Sequence, residues 1–295
     1  MKRKLYSESA ENPQGPRQSP WPKKKPAEPD LHNPKSWVLY ETLMRLGQNA
    51  IAERDTVNVL GKSFHASGKV FSPKFSLEDT EIFAQNLPVR PGAVMLEIGT
   101  GTGILAIFAC YRGASRVVAI DINWKAVANA RANVVLHNMA DRIFVRKGDV
   151  YSSVRKGERF DTIFWNVPFV FAKSEDVRRE LMRLQNDVAD NPTMKSALER
   201  LPYELSRLDL SSGSSHYFLW AAYIDNDYRS IRRFINGARS RLNSGGKALV
   251  CFSSTYGEME LLQELAEKAQ MDSRIVFEQE NSRGVMLEII EMRPR

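Results

Sequence analysis

The stretch that decides the fold runs from Val94 to Ile104 and reads Val-Met-Leu-Glu-Ile-Gly-Thr-Gly-Thr-Gly-Ile. Its first five residues are apolar except for Glu97 and predict a buried strand at 94–98. Three alternating glycines follow, and the helical spacing of apolar residues begins at Ile104. Glycine adopts positive φ without strain and lets a ligand approach the main chain closely. The stretch therefore predicts a strand, a ligand-binding turn and a helix.

An acidic residue follows the next apolar run. That run, Arg116 to Ile120, ends on Asp121, 18 positions after Gly103. In nucleotide-binding βαβ units, an acidic residue about 20 positions after the glycines binds the ribose hydroxyls. Dinucleotide sites use Gly-x-Gly-x-x-Gly, so the Gly-x-Gly-x-Gly spacing here fits a pyrophosphate ligand less well. A sheet that binds another nucleotide, or no ligand, remains the alternative.

Strands alternate with helices from residue 94 onward. The predicted strands are 94–98, 116–121, 143–146, 160–165 and 247–252, the predicted helices are 76–85, 102–111, 123–138, 226–242 and 257–269, and a final strand pair lies near 274–279 and 285–291. Such alternation predicts an α/β protein with a doubly wound, parallel sheet. Ligands of such sheets bind at the carboxyl ends of the strands. Four residues lie at such ends, so we expect them to form one shared site: Gly99, Asp121, Asp149 and Asn166.

The motif Glu-x-Gly-x-Gly-x-Gly, followed by Ala-Ile-Asp at 119–121, resembles the class I S-adenosylmethionine (SAM) methyltransferase family. The resemblance implies a Rossmann-like, mostly parallel sheet of seven strands and SAM as cofactor or substrate. It places the glycine turn against the methionine part of SAM, Asp121 on the ribose and Asp149 at the adenine amine. The full set of implied SAM contacts is Glu97, Gly99, Thr100, Gly101, Gly103, Asp121, Ile122, Asp149, Val150, Asn166, Val167 and Pro168.

A second motif ends the fourth predicted strand. Trp165-Asn166-Val167-Pro168-Phe169 resembles the Asn-Pro-Pro-Tyr motif of methyltransferases that act on planar or amide nitrogens. In that family the Asn side chain and the following carbonyl accept hydrogen bonds from the target nitrogen, and the aromatic residue stacks on the target. Asn166 and Phe169 keep these roles, whereas Val167 replaces the first proline. This departure puts the usual substrate of the family in doubt.

The same residues also resemble those of the bacterial azetidine-2-carboxylate synthases. That resemblance implies Asn166, Tyr203, Ser230 and Phe169 as catalytic residues around the methionine moiety. The α-amine of SAM would attack its own γ-carbon and give azetidine-2-carboxylate and methylthioadenosine. The alternatives for these side chains are lid packing for Tyr203, core packing for Phe169 and a solvent-facing helix position for Ser230.

Three functions therefore follow from the sequence. We expect SAM cyclisation first. N-methyl transfer to an amide, a nucleobase or a small-molecule nitrogen is the alternative, and a non-catalytic SAM-binding module is the third. SAM is the expected small-molecule partner, and the oligomeric state is left open. The four histidines, at positions 32, 65, 137 and 216, offer no metal-binding spacing, so no metal is expected.

Composition divides the chain into three parts. Residues 1–35 hold seven of the fourteen prolines and eight Lys/Arg against four Asp/Glu, which predicts a disordered tail that carries +4 of the net charge of +7. Residues 36–90 predict an N-terminal helical cap with a helix at 36–48. Within this part, residues 53–75 are interpreted as short strand or loop. This segment either closes over the cofactor pocket or packs behind the domain. Residues 91–295 predict the SAM-binding catalytic domain, with 172–215 as a lid insertion.

Composition also limits the location and the partners. The chain is 43% apolar and 26% charged, which is typical of soluble globular proteins. No apolar run is long enough to span a bilayer, and none follows the initial Met-Lys-Arg-Lys as in a secretory signal. Cys110 and Cys251 lie in apolar contexts and predict buried thiols in a reducing compartment, so the expected location is cytoplasmic. Contact of the basic tail with nucleic acid or ribosomes is the less favoured reading, and no membrane contact is expected.

Overall fold

The structure is a computed structural model that describes residues 55–67, 69–168, 170–172, 222, 224–226 and 228–295. Its strands are β1 (Asp55–Val59), β2 (Lys62–Ala66), β3 (Val94–Ile98), β4 (Arg116–Asp121), β5 (Ile143–Lys147), β6 (Phe160–Asn166), β7 (Val170–Ala172), β8 (Ile224–Asn226), β9 (Leu242–Phe252), β10 (Met271–Glu280) and β11 (Met286–Pro294). Its α-helices are α1 (Leu77–Asn86), α2 (Ile104–Tyr111), α3 (Trp124–Leu136), α4 (Arg229–Ala238) and α5 (Met259–Lys268).

The central sheet has seven strands in the order β10-β11-β9-β6-β3-β4-β5. The neighbours β3–β4, β3–β6, β4–β5 and β6–β9 are parallel. Only β11 runs against its neighbours, β9 and β10. This arrangement confirms the predicted mostly parallel, doubly wound sheet and its antiparallel C-terminal strand pair. The carboxyl ends of β3, β4, β5 and β6 lie on one edge, where the site is found.

Helices cover both faces of the sheet. Successive residues of β3 point to opposite faces, and Met95 and Leu96 accordingly belong to different apolar clusters. Residues of α1, α2 and α3 pack on the Met95 side, and those of α4 and α5 pack on the Leu96 side. Both side chains are fully buried, and each such burial stabilises the fold by roughly 1.5–3 kcal/mol.

The predicted N-terminal helical cap is only partly helical. Residues 55–66 form a β-hairpin, because β1 pairs antiparallel with β2 and the turn at Leu60 and Gly61 has two positive φ angles, +50° and +74°. The helix predicted at 76–85 is confirmed as α1, although the side chain of its N-cap residue Ser76 makes no capping hydrogen bond. The tail, the helix at 36–48 and all but residue 172 of the lid insertion lie outside the described residues.

Two predicted boundaries in the C-terminal half differ from the structure. The helix predicted from residue 226 begins at Arg229, because β8 occupies 224–226 and Tyr228 takes φ +50° before the helix. The strand predicted from residue 247 begins at Leu242, which pairs with Phe160 ahead of a register shift. Gly245 and Gly246 lie within β9 at this irregularity.

Two smaller observations concern membranes and thiols. Within the described ranges, every helix is too short or too polar to cross a bilayer. Cys110 and Cys251 are buried and unpaired with each other. Burial raises the pKa of the Cys110 thiol to about 11, and burial also raises the pKa of the Cys251 thiol.

Candidate active site

One cavity of about 210 Å³ lies at the carboxyl ends of the parallel strands. The residues that sequence analysis assigned to SAM and that line it are Glu97, Gly99, Thr100, Gly101, Asp121, Ile122, Asp149, Val150, Asn166, Val167 and Pro168. Ser230 also lines this cavity, at the second position of α4. The structure therefore brings the strand-end residues and Ser230 together around a single space.

Gly103 does not line the cavity, contrary to the expectation for a SAM-binding residue. It is the N-cap residue of α2, with φ +82°, and a Cβ atom there would lie 3.1 Å from Cβ of Ala130 on α3. The third glycine is thus explained by its backbone conformation and by the close approach of two helices.

Gly101 has a different environment from its neighbours in the glycine turn. Its φ is +54°, and no atom lies within 4 Å of the position that a Cβ atom would take. Its N–H donates to Oδ2 of Asp121 at 2.8 Å, which connects the turn after β3 to the end of β4. Open space above a main chain held in this way is what the close approach of a ligand requires.

Asp121 holds two main-chain donors and remains able to accept more. Its Oδ1 accepts the Asn123 N–H and its Oδ2 accepts the Gly101 N–H, both at 2.8 Å. Burial raises the pKa of this carboxyl to about 6, although the two hydrogen bonds counteract the rise. Each carboxylate oxygen has a second lone pair, so Asp121 can also accept hydrogen bonds from ligand hydroxyls.

Glu97 lies behind the glycine turn. It is buried, and the Thr100 hydroxyl donates to its Oε2. The pKa of Glu97 is raised to about 8, chiefly by burial and also by the nearby Asp121 carboxylate, against the opposing effect of the Thr100 hydrogen bond. A neutral carboxylic acid inside the site can donate a hydrogen bond as well as accept one.

Asn166 ends β6 and has an unsatisfied acceptor. Its Oδ1 atom is buried and has no hydrogen-bond partner within the part of the chain that the structure describes. The next residue is held in place, because the Val167 N–H donates to the Cys251 carbonyl of β9 at 3.3 Å. A buried acceptor without a partner costs roughly 1–3 kcal/mol, so a ligand N–H at this position would recover that cost.

Helix α4 contributes Ser230 to the lining of the cavity. Its N-terminus is capped by Asp225, which is buried and whose Oδ2 accepts the N–H groups of Ser230 at 3.0 Å and Ile231 at 2.9 Å. Burial raises the pKa of Asp225, and these hydrogen bonds oppose the rise. Further along α4, Arg233 forms an ion pair of 2.8 Å with Asp149 at the end of β5.

The sequence analysis missed most of the wall formed by the segment before β3. The lining residues of this wall are Val70, Phe71, Pro73, Phe75, Ser76, Asp79, Thr80 and Phe83. The predicted helix at 76–85 gave no indication of which of its faces meets the cavity, although covering the pocket was one of the two readings of 53–75. Asp79 is fixed from the C-terminal end of the chain, by Asn281 at 2.7 Å and by an ion pair with Arg283 at 3.0 Å.

Two predicted catalytic side chains cannot be placed. Phe169 and Tyr203 lie outside the described residues. Within the described ranges, no cluster of three or more His, Cys, Asp or Glu side chains could hold a metal ion.

Comparison with known proteins shows a similarity to methyltransferases over part of the chain. Residues 61–188 match the family model described as "Methyltransferase small domain". A ribosomal protein L11 methyltransferase of Desulfitobacterium hafniense is 38% identical over 111 residues, which is 38% of this chain and 32% of that protein. A putative protein N5-glutamine methyltransferase of Methanocaldococcus jannaschii is 28% identical over 149 residues, which is 50% of this chain and 71% of that protein.

A solved structure, the M. jannaschii tRNA m1G37 methyltransferase, is 16% identical with a TM-score of 0.49, and the match covers 83% of this chain and 58% of that one. The chain spans about a third of the length of the L11 methyltransferase described above. The matched segment contains β2 to β7 and most of the residues that line the cavity, whereas Ala222, Ser230 and Tyr256 lie beyond it. Residues 61–188 therefore resemble a methyltransferase small domain.

Proposed function

We propose that the protein is a SAM-dependent N-methyltransferase that acts on a planar or amide nitrogen. The observation that carries the proposal is the buried, unpartnered Oδ1 of Asn166 in a residue that lines the same cavity as the glycine turn. A methyl acceptor nitrogen must present its lone pair to the donor, so its N–H groups must be held from another direction. An acceptor-only oxygen at a strand end does this without taking a proton.

The residues around the cavity fit SAM by their chemistry. Gly101 leaves its main chain open to a ligand, and Asp121 has spare acceptor capacity for ribose hydroxyls. Asp149 is a partly exposed carboxylate that suits an adenine amine. SAM supplies an electrophilic methyl group on a sulfonium, and the chain supplies orientation and the exclusion of water.

The reaction expected first from the sequence, cyclisation of SAM, has less support. The curated relatives described above are methyltransferases, and two of the residues on which that resemblance rests, Phe169 and Tyr203, lie outside the described residues. Asn166 and Ser230 line the cavity in either reading and do not discriminate between the two reactions.

Product analysis by mass spectrometry tests the proposal. Purified protein is incubated with SAM alone, with a glutamine-containing peptide, and with RNA oligonucleotides. We expect S-adenosylhomocysteine only when an acceptor is present. Methylthioadenosine formed from SAM alone would overturn the proposal in favour of cyclisation.

The Asn166→Ala variant then tests the residue itself. Turnover should fall about 100-fold or more, because a misplaced acceptor nitrogen loses its alignment with the methyl group. Affinity for S-adenosylhomocysteine should stay within about threefold of the wild type, which is a change of less than about 1 kcal/mol in binding free energy. Asn86→Ala, at the end of α1 and not among the lining residues, is the matched control and should keep full activity. Wild-type turnover in Asn166→Ala would contradict the role assigned to Asn166.

A further inference from the structure

Helix α4 and the segment after β5 meet beside the cavity. Nη1 of Arg233 lies 2.8 Å from Oδ2 of Asp149, and their side chains are 48% and 26% exposed. Asp149 lines the cavity, and so does Ser230, which lies one helical turn before Arg233. A single helix therefore contacts the cavity at Ser230 and also contacts Asp149.

The contact continues around Tyr151. The Tyr151 hydroxyl donates to the Phe234 carbonyl at 2.8 Å, and the two rings stack with centroids 6.1 Å apart. Gly237 lets the ring approach α4, because a Cβ atom there would lie 2.4 Å from Cε2 of Tyr151. Arg241 covers the ring, with its guanidinium 4.4 Å from the centroid. The segment after β5 is thus fixed to α4 at several points rather than by one ion pair.

The backbone between Asp149 and Tyr151 is strained. Val150 has φ +50°, a conformation that β-branched residues rarely adopt, and it is buried and lines the cavity. Such strain, of order 1–3 kcal/mol, persists only where the surroundings enforce it. Here the enforcing contacts are those of Tyr151 and Asp149 with α4.

We propose that Arg233 is a positioning residue that holds the Asp149 carboxylate for the 6-amino group of adenine, and so makes the site select adenine over hypoxanthine nucleosides. The ion pair engages Oδ2, and Oδ1 has no hydrogen bond among the described residues, so one oxygen is available to a ligand. A carboxylate attracts the N–H of a 6-amino group and repels the lone pairs of a 6-oxo group. This inference rests on the proposed SAM site.

Calorimetric titration with S-adenosylhomocysteine and with S-inosylhomocysteine tests the selectivity. The wild type should prefer the adenine ligand about 30-fold, because the 6-oxo group of the hypoxanthine ligand offers Oδ1 of Asp149 a lone pair instead of a hydrogen-bond donor. In Arg233→Gln the preference should fall to about threefold, since Asp149 is no longer fixed. Arg233→Lys retains a cation and should keep an intermediate preference. Asp149→Asn should also reduce the preference, because an amide presents either a donor or an acceptor.

Arg239→Gln is the matched control. It removes the same charge from the turn that follows α4, where Arg239 donates to Oε1 of Gln270 at 2.7 Å, and it should keep the wild-type preference. A wild-type preference in Arg233→Gln would overturn the inference. So would an equal loss of affinity for both ligands, because that result indicates a purely structural role. A wild-type protein that binds neither ligand would instead refute the proposed SAM site, and the inference with it.

Discussion

The main chain of Gly99 lies directly against the indole ring of Trp165, so that a Cβ atom at Gly99 would be 2.4 Å from Nε1. Gly99 also has φ +62°. Trp165 cannot easily move away, because it is 7% exposed and its ring centroid is 5.6 Å from that of Phe234 on α4. The neighbouring strand therefore excludes a side chain at position 99 independently of the turn's own conformation.

Replacement of Gly99 by alanine should lower both stability and ligand affinity. The positive φ costs an alanine roughly 1–2 kcal/mol, and displacement of a packed tryptophan adds roughly 1–3 kcal/mol. The movement of Trp165 also disturbs the cavity wall next to Asn166. Urea unfolding and calorimetric titration with S-adenosylhomocysteine measure the two effects.

Gly157→Ala separates the conformational cost from the steric one. Gly157 has φ +85° and no atom within 4 Å of an added Cβ, and it does not line the cavity. This variant should lose about 1 kcal/mol of unfolding free energy and no ligand affinity. Equal losses in the two variants would mean that the contact with Trp165 has no energetic consequence.

The strand-end residues could be predicted from sequence because their signals are local. The apolar runs before Gly99, Asp121 and Asn166 define strands, and parallel strands bring their ends together. The contact between Gly99 and Trp165 joins residues 66 positions apart, and no local pattern reports it. The same limit explains why Gly103 was assigned to the ligand rather than to its contact with Ala130.

The wall formed by Val70 to Phe83 could be predicted only in part, for a related reason. The hairpin that precedes this wall is attached to the domain by Asn133, a fully buried polar residue of α3. Its Oδ1 accepts the His65 N–H at 2.7 Å, and its Nδ2 donates to the carbonyls of His65 at 3.0 Å and Thr102 at 2.8 Å. One side chain thus joins the hairpin to the glycine turn, and an asparagine within a helix gives no sign of this in the sequence.

Asn133→Ala should detach the hairpin from the glycine turn. The loss leaves the part-buried N–H of His65 and the buried carbonyl of Thr102 without this partner, which costs about 3 kcal/mol of unfolding free energy. Asn129→Ala is the matched control, because Asn129 makes a single hydrogen bond to His65, and it should lose about 1 kcal/mol. Urea unfolding distinguishes the two losses, and a smaller loss in Asn133→Ala than in Asn129→Ala would contradict this account.

The buried Glu97 predicts a pH dependence of stability. The pKa of Glu97 is raised from 4.5 to about 8, chiefly by burial. Between these values the unfolded chain has lost the proton that the folded chain keeps, so the free energy of unfolding falls as pH rises and levels off above pH 8. The pKa of Asp121, raised to about 6, also makes the free energy of unfolding fall as pH rises, but only at lower pH. The lowered pKa of His137 has the opposite effect, because it makes the free energy of unfolding rise with pH below the usual pKa of 6.5. The interval from pH 6.5 to 8 therefore reports mainly on Glu97.

Urea unfolding across this interval tests the assignment. The wild type should lose about 1 kcal/mol of unfolding free energy from pH 6.5 to pH 8, within the limit of about 1.4 kcal/mol per pH unit for one proton. Glu97→Gln keeps a neutral side chain at every pH and can still accept the Thr100 hydroxyl, so its stability should stay nearly constant. Glu264→Gln, which removes a carboxylate that is 60% exposed on α5, should follow the wild-type slope. Parallel slopes for the wild type and Glu97→Gln would show that the folded protein holds Glu97 ionised at neutral pH.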